Sequence, residues 1–263
     1  MKVQQNKRLT RFEHYRDLIV ILTQKEMKVR YKSTFFGYVW SIAHPLAFAF
    51  VFFMAFKVVM RIQMEGYAVF LIAGLFPWQW LSNSVNASPM IFLENASLIK
   101  RVKLPRNILS LATVLQDMIH FILSIPVIVL FLFIYHKSPS LSWLYGIPAL
   151  LGIQLLMTYG FSLMISSINL FFRDLERLTV ILTTLVFWFT PIIYPETMIP
   201  ERYMKLILFF NPLSPLMISW RRLFIDGSLE VALVTVSFIY SLVVFMLGYM
   251  IYKKLSWKFA EVL

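Results

Sequence analysis

The stretch Glu94-Asn95-Ala96-Ser97-Leu98-Ile99-Lys100-Arg101-Val102-Lys103-Leu104-Pro105-Arg106 lies between two long apolar runs, 67–91 and 107–135. It holds four basic residues and one acid. A helix needs ~20 mostly apolar residues to cross ~30 Å of hydrocarbon, and a short basic connector between two such runs belongs on the cytoplasmic side. The loop is too short to be a catalytic domain. It is long enough to be a handle by which a soluble partner moves the membrane part. The implied fold class is an all-α integral membrane protein.

The rest of the chain agrees. Of its 263 residues 59% are hydrophobic, and the mean hydropathy is +0.73, outside the range of soluble domains. Six apolar runs read as spans: 36–60, 67–91, 107–135, 143–171, 178–194 and 231–252. The second is interrupted by Pro77 and by the polar run Ser82-Asn83-Ser84-Val85-Asn86, which at that depth must face protein or water. With the N-terminus inside, Lys and Arg number nine in 1–35, four in 93–106, two in 172–177 and three in 253–263, against seven elsewhere. That asymmetry puts both termini in the cytoplasm. The chain then divides into a cytoplasmic interface segment, 1–35, and a transmembrane domain, 36–263. No apolar core of a cleavable signal is visible in the first thirty residues.

Two segments do not span. In 11–31, Phe12, Tyr15, Ile19 and Leu22 recur at helical spacing, with Arg11, Glu13, Arg16, Asp17, Lys25 and Lys28 on the other face. This predicts an amphipathic helix at the cytoplasmic interface, serving as lipid anchor, partner surface or both. In 195–229, Leu206–Phe210 and Leu216–Trp220 are each too short to cross and are separated by Asn211-Pro212-Leu213-Ser214-Pro215. A re-entrant outer hairpin between spans 5 and 6 fits, and such backbone must border protein or a watery path. One broken seventh span is the other reading. It would place Lys253, Lys254 and Lys258 on the wrong side.

Composition also excludes chemistry. There is no cysteine, hence no disulfide or thiol catalysis. The scattered glycines form no phosphate loop, so if the protein works against a gradient it borrows its energy source. His14, His44, His120 and His136 lack metal-ligand spacing. The net charge of +12 reflects cytoplasmic loops and anionic lipid rather than nucleic acid. Glu196, Glu201, Asp226 and Glu230 read as helix caps or partners of Arg202, Arg221 and Arg222, not as a catalytic pair. Asp117, beside Gln116 and near His120, is an intramembrane acid, either functional or tied to a neighbouring span through Asn83 or Asn86. The turn Arg173-Asp174-Leu175-Glu176-Arg177 either pairs its own charges or offers a second partner contact. Phe48, Phe52 and Phe56 repeat every four residues, with Tyr38 and Trp40 before them and Trp78 in the second span. An aromatic face stacks on the C–H face of a sugar without fixing its register. Aromatics also serve as packing and interface belts.

In order, the chain carries Lys28-Val29-Arg30-Tyr31-Lys32-Ser33, Phe36-Gly37-Tyr38-Val39-Trp40, His44-Pro45-Leu46, Gly74-Leu75-Phe76-Pro77-Trp78, Asn95, Leu98-Ile99-Lys100-Arg101-Val102 and Pro105-Arg106. Beyond these lie Arg173-Asp174, Thr190-Pro191-Ile192-Ile193-Tyr194, Ile199-Pro200, Asn211-Pro212-Leu213 and Arg221-Arg222. This ordered set resembles the ABC-2 permease family, in its branch that exports lipopolysaccharide O-antigen, capsule or teichoic acid. Phe36 and Leu104 depart from the small and aromatic residues common there. The resemblance implies a homodimeric, non-enzymatic channel in the bacterial inner membrane, with two copies of a separate nucleotide-binding subunit that carries the MgATP. Leu98, Ile99, Lys100, Arg101, Pro105 and Arg106 would couple to the ATPase, with Arg173, Asp174 and Arg177 as a second contact. The first- and second-span aromatics would line the path of a lipid-linked polysaccharide, and Asn211, Pro212 and Pro215 would gate its exit. The same architecture carrying a drug or lipid, and a membrane-embedded glycan-modifying enzyme, are the alternatives.

Overall fold

The structure, a computed structural model, describes residues 2–30, 39–59, 61, 64–102 and 104–262. Among them the regular structure is helical, with no strand. Helix α1 spans Lys2–Arg30 and α2 spans Trp40–Phe53, continued by a π-helical segment to Val59. Next come α3 (Tyr67–Ala87), the short α4 (Ile91–Glu94) and α5 (Ala96–Arg101), and the long α6 (Asn107–Ile134) and α7 (Trp143–Asn169). The last are α8 (Leu175–Phe189), α9 (Glu201–Phe210), α10 (Ser214–Asp226), α11 (Val231–Leu255) and α12 (Phe259–Val262).

Three of these, α6, α7 and α11 with its 3-10 extension to Lys258, are long and apolar enough to cross a membrane. The remaining expected spans appear as helices of other kinds. The apolar part of α2 is short, Leu46–Val59, and α8 ends at Phe189 rather than reaching 194. Pro191 accounts for that end, because a proline disfavours helical geometry at the residue before it, and Thr190 is extended. Helix α3 has no charge, but Gln79, Ser82, Asn83, Ser84 and Asn86 dilute its apolarity.

Helix α3 is the centre of the molecule. Sixteen of its 21 residues are buried, as befits a helix that is apolar around most of its circumference, and α2, α6, α7, α8 and α10 pack around it. Pro77 does not break it. Gln154 of α7 donates to the Pro77 carbonyl at 2.7 Å and accepts from Trp220 Nε1 of α10 at 2.6 Å, bridging three helices with one buried amide. Helices α7 and α11 make the most extensive contact. A Cβ on Gly160 would lie 2.6 Å from the Phe245 Cα, and one on Gly248 would collide with the Gly160 carbonyl. Backbones this close need small residues, the usual interface in lipid, where helix association depends on packing.

A second, smaller core joins the ends of several elements: Leu22 of α1, Ile91 and Phe92 of α4, Ile99 of α5, Ile108 and Leu109 of α6, and Phe259 of α12. Tyr15, Leu18 and Ile19 pack against it. Helix α1 therefore uses Tyr15, Ile19 and Leu22 to dock on its own chain. Phe12 lies outside the described side chains.

Gly160→Leu should force α7 from α11, an overpacking cost of about 3 kcal/mol, and should lower the Tm of the detergent-solubilised protein. An unchanged Tm would mean the two helices are not this close.

Candidate functional site

Three regions carry the predicted site residues. At the basic loop, Asn95 separates α4 from α5, donating from Nδ2 to the Ile91 carbonyl (2.9 Å) and accepting at Oδ1 from Lys25 Nζ of α1 (2.7 Å). Past α5 the chain extends at Val102. Arg106 donates to the Ser256 carbonyl and lies 5.7 Å from the Phe259 ring centroid, and the Asn107 amide donates to the Tyr252 hydroxyl at 3.1 Å. The loop is thus held by α1 on one side and by the C-terminal helices on the other. Within it, Ile99 is buried and Leu98, Pro105 and Arg106 are half-buried, whereas Lys100 and Arg101 are exposed. Helical periodicity turns consecutive residues to different faces, so an outside protein meets Lys100 and Arg101, not Ile99. Arg173, Asp174 and Arg177, at the turn into α8, are also exposed.

Beside the loop, α1, α3, α4 and α6 enclose a polar cavity of about 290 Å³ whose lining includes Glu26, Arg30, Asn83, Glu94 and Asp117. Asp117 is buried and forms an ion pair with Arg30, and it accepts from Ser84 Oγ at 2.8 Å. Its partners are therefore Ser84 of α3 and the far end of α1, not the expected Asn83 or Asn86. Ser84 lies on a different face of α3 from its neighbour Asn83, and Arg30 was out of view because nothing local in the sequence joins it to α6.

The aromatics come together in the second region, a cleft of about 380 Å³ between α2, α3 and α8. Phe48, Phe52 and Trp78 line it. The Phe52 ring lies tilted against Phe56 (6.3 Å) and Phe187 (5.6 Å), and Trp78 lies 5.5 Å from Phe187. Trp40 starts α2 outside this lining, and Tyr38 falls outside the described residues. The polar run Ser82–Asn86, expected to face protein or water, turns Ser82, Asn83 and Asn86 into this lining, whereas sequence reasoning missed Gln79 of α3 and Thr183, Thr184, Phe187 and Trp188 of α8. The apolar run 178–194 held no periodic mark to single these out.

The third region is the helix pair α9–α10, of 10 and 13 residues, turned by Asn211. Asn211 Oδ1 accepts from the Leu213 amide (3.0 Å) and Nδ2 donates to Thr190 Oγ1 (2.8 Å), tying the turn to the end of α8. Pro215 is buried at the start of α10, and Pro212 lines an apolar groove of about 670 Å³ with Phe161, Phe189 and Phe210. Buried Arg221 donates to the Pro191 and Ile192 carbonyls and lies 3.8 Å from the Phe70 ring. Glu196 pairs with Arg221 and Arg222, and Glu230 with Arg222. These acids neutralise arginines and form no catalytic couple. Among the described residues no His/Cys/Asp/Glu group could hold a metal ion.

Comparison with known proteins places these features. The family model described as ABC-2 type transporter matches residues 17–225. An O-antigen export system permease protein RfbA of Klebsiella pneumoniae is 46% identical over 247 residues, 94% of this chain and 95% of its own. A second protein of that description and species is 45% identical over the same shares. A Myxococcus xanthus protein of the same description is 32% identical over 82% of this chain and 83% of its own.

The Arg30–Asp117 pair is asymmetric, because the arginine is 40% exposed and the aspartate 2%. Arg30→Leu should strand a buried carboxylate at a cost of about 3–5 kcal/mol, whereas Asp117→Asn leaves a guanidinium that can turn to water and should cost about 1 kcal/mol. Thermal unfolding of both single variants and the double variant checks this; equal losses from the two single variants would show that the pair is not asymmetric.

Proposed function

This chain belongs to the ABC-2 type transporter family, and on that premise we propose that it is the transmembrane subunit of an ATP-driven exporter moving lipid-linked O-antigen across the bacterial inner membrane. The near full-length similarity to O-antigen export permeases carries the reading. Two copies form the channel, and two copies of a soluble nucleotide-binding subunit supply MgATP hydrolysis. The chain itself makes and breaks no covalent bond.

In this reading six segments cross the membrane, namely α2 with its π-helical extension, α3, α6, α7, α8 and α11. Both termini and the 94–106 loop are cytoplasmic. Helix α1 lies at the cytoplasmic interface, and α9–α10 dip into the outer leaflet. The lengths of α9 and α10 support this, since at 1.5 Å per residue each reaches about 15–20 Å, short of the ~30 Å core. When the ATPase dimer closes on nucleotide, it pushes on Lys100 and Arg101 and on Arg173, Asp174 and Arg177. Leu98, Ile99, Pro105 and Arg106 pass the push inward: Leu98 and Ile99 pack into the small core shared by α1, α6 and α12, the Pro105 carbonyl accepts from the amide of core residue Ile108, and Arg106 bonds the Ser256 carbonyl. The spans part, and the glycan moves along the cleft of Phe48, Phe52 and Trp78 toward the Asn211–Pro215 hairpin. Asn211 supports a link between the end of α8 and that exit, because it bonds Thr190 directly.

Lys100→Glu/Arg101→Glu should keep the chain in the membrane at its normal level yet reduce surface polysaccharide at least tenfold and weaken co-purification of the ATPase. Full surface polymer in that variant would refute the coupling role. Ile99→Asp should differ in kind, lowering the amount of folded chain, because it puts a charge into the small core. Deleting the chain should abolish surface O-antigen and accumulate lipid-linked polymer inside; normal surface polymer in the deletion would refute the export reading itself.

A further inference from the structure

The cleft is not only aromatic. Helix α3 turns Gln79, Ser82, Asn83 and Asn86 into it, at spacings of three and four residues that keep them on one face. Opposite stand the rings of Phe48, Phe52, Phe187 and Trp188. The amide oxygens of Gln79 and Asn86 are buried and accept no hydrogen bond. Elsewhere Gln154, Asn95 and Asn211 each donate and accept, whereas Asn169 of α7 donates to the Pro89 carbonyl and leaves its Oδ1 unpaired. A buried amide oxygen without a donor is a cost that folding does not explain, and a ligand that brings donors removes it.

The lining selects the ligand's chemistry. Among the described residues it holds no charged side chain, so an inorganic ion or phosphate finds nothing there to neutralise it. A purely apolar chain would leave the amides unpaired. A neutral polyol with one C–H face satisfies both walls, its apolar face on the rings and its hydroxyl edge on the amides. We propose that Gln79, Asn83 and Asn86 form a hydrogen-bonding ladder that reads the hydroxyls of pyranose rings held against the aromatic wall, making the cleft a sugar-recognising subsite. From Gln79 to Asn86 the helix rises about 10 Å, which accommodates more than one ring. A polymer can then step from amide to amide, because each donor–acceptor pair is exchanged for an equivalent one a turn away. The proposal rests on the export reading.

The test uses cells lacking the chain, complemented at matched membrane levels with wild type, Asn83→Leu/Asn86→Leu, Gln79→Leu and the conservative Asn83→Gln. Surface polymer is measured. Each chain, purified with its ATPase partner, is titrated with oligosaccharide released from the same cells' polymer, reading the emission of the cleft tryptophans. Wild type should show a saturable change, and both leucine variants should bind at least tenfold more weakly and display less polymer. Asn83→Gln should retain most of the affinity, a rescue that a packing role would not give, because Gln departs from the size of Asn as Leu does but keeps the amide. Leucine variants binding as wild type does, or no saturable response in wild type, would overturn the subsite. If wild type restores surface polymer in either case, the export reading survives without it. If wild type restores none, the export reading fails as well.

Discussion

Polar groups inside a bilayer have no water to bond, so each must find its partner within the protein. The architecture depends on that constraint because its central helix, though mostly apolar, carries a run of polar side chains. Helix α3 carries hydroxyl and amide groups along its second half and a proline in its middle. Placed among other helices it finds several of them partners: Ser84 bonds Asp117, Ser88 just beyond its end bonds Ser162, Trp80 Nε1 bonds the Val114 carbonyl, and Gln154 takes the carbonyl of Pro77, while the amide oxygens of Gln79 and Asn86 accept from no group of the chain. Facing lipid, these groups would be stranded. The more apolar α6, α7 and α11 can face hydrocarbon, which is why they are the helices whose length and composition declare them.

The same need explains how the ends are fastened. At the basic loop, Asn95 and Arg106 tie α4–α5 to α1 and to the C-terminal helices. At the other end, Arg221 gathers the Pro191 and Ile192 carbonyls that a helix terminated by proline leaves unpaired, and Asn211 joins that segment to the α9–α10 turn. Each fastening uses a side chain with several donors or acceptors to satisfy backbone that has left helical geometry. A force applied at the loop therefore enters a connected set of helices rather than a flexible tether.

Between these ends lies the α2–α3–α8 cleft, where α2 aromatics meet α3 amides. Aromatic faces hold sugar without registering it, and neutral amides exchange one hydroxyl for the next. A transport path for a polymer needs both contacts to be individually weak and repeated, so that the chain binds yet keeps moving. Glu196 and Glu230 near the hairpin are occupied by arginines, consistent with passage rather than reaction.

Local composition and residue order determined the helices and the short helix pair. Apolar run lengths marked the helices, the distribution of Lys and Arg implied which ends are cytoplasmic, and the break at Asn211-Pro212 divided α9 from α10. These are legible because helix length, charge and turn residues act over a few positions. Only the tertiary structure decided which face of α5 is outward, that Tyr15, Ile19 and Leu22 dock on their own chain, that Arg30 reaches Asp117, and that α8 completes the aromatic cleft with Phe187 and Trp188. Those are contacts between residues tens of positions apart, fixed by how close one helix can approach another. The approach itself depends on volumes such as those at Gly160 and Gly248, which only the packed chain brings together.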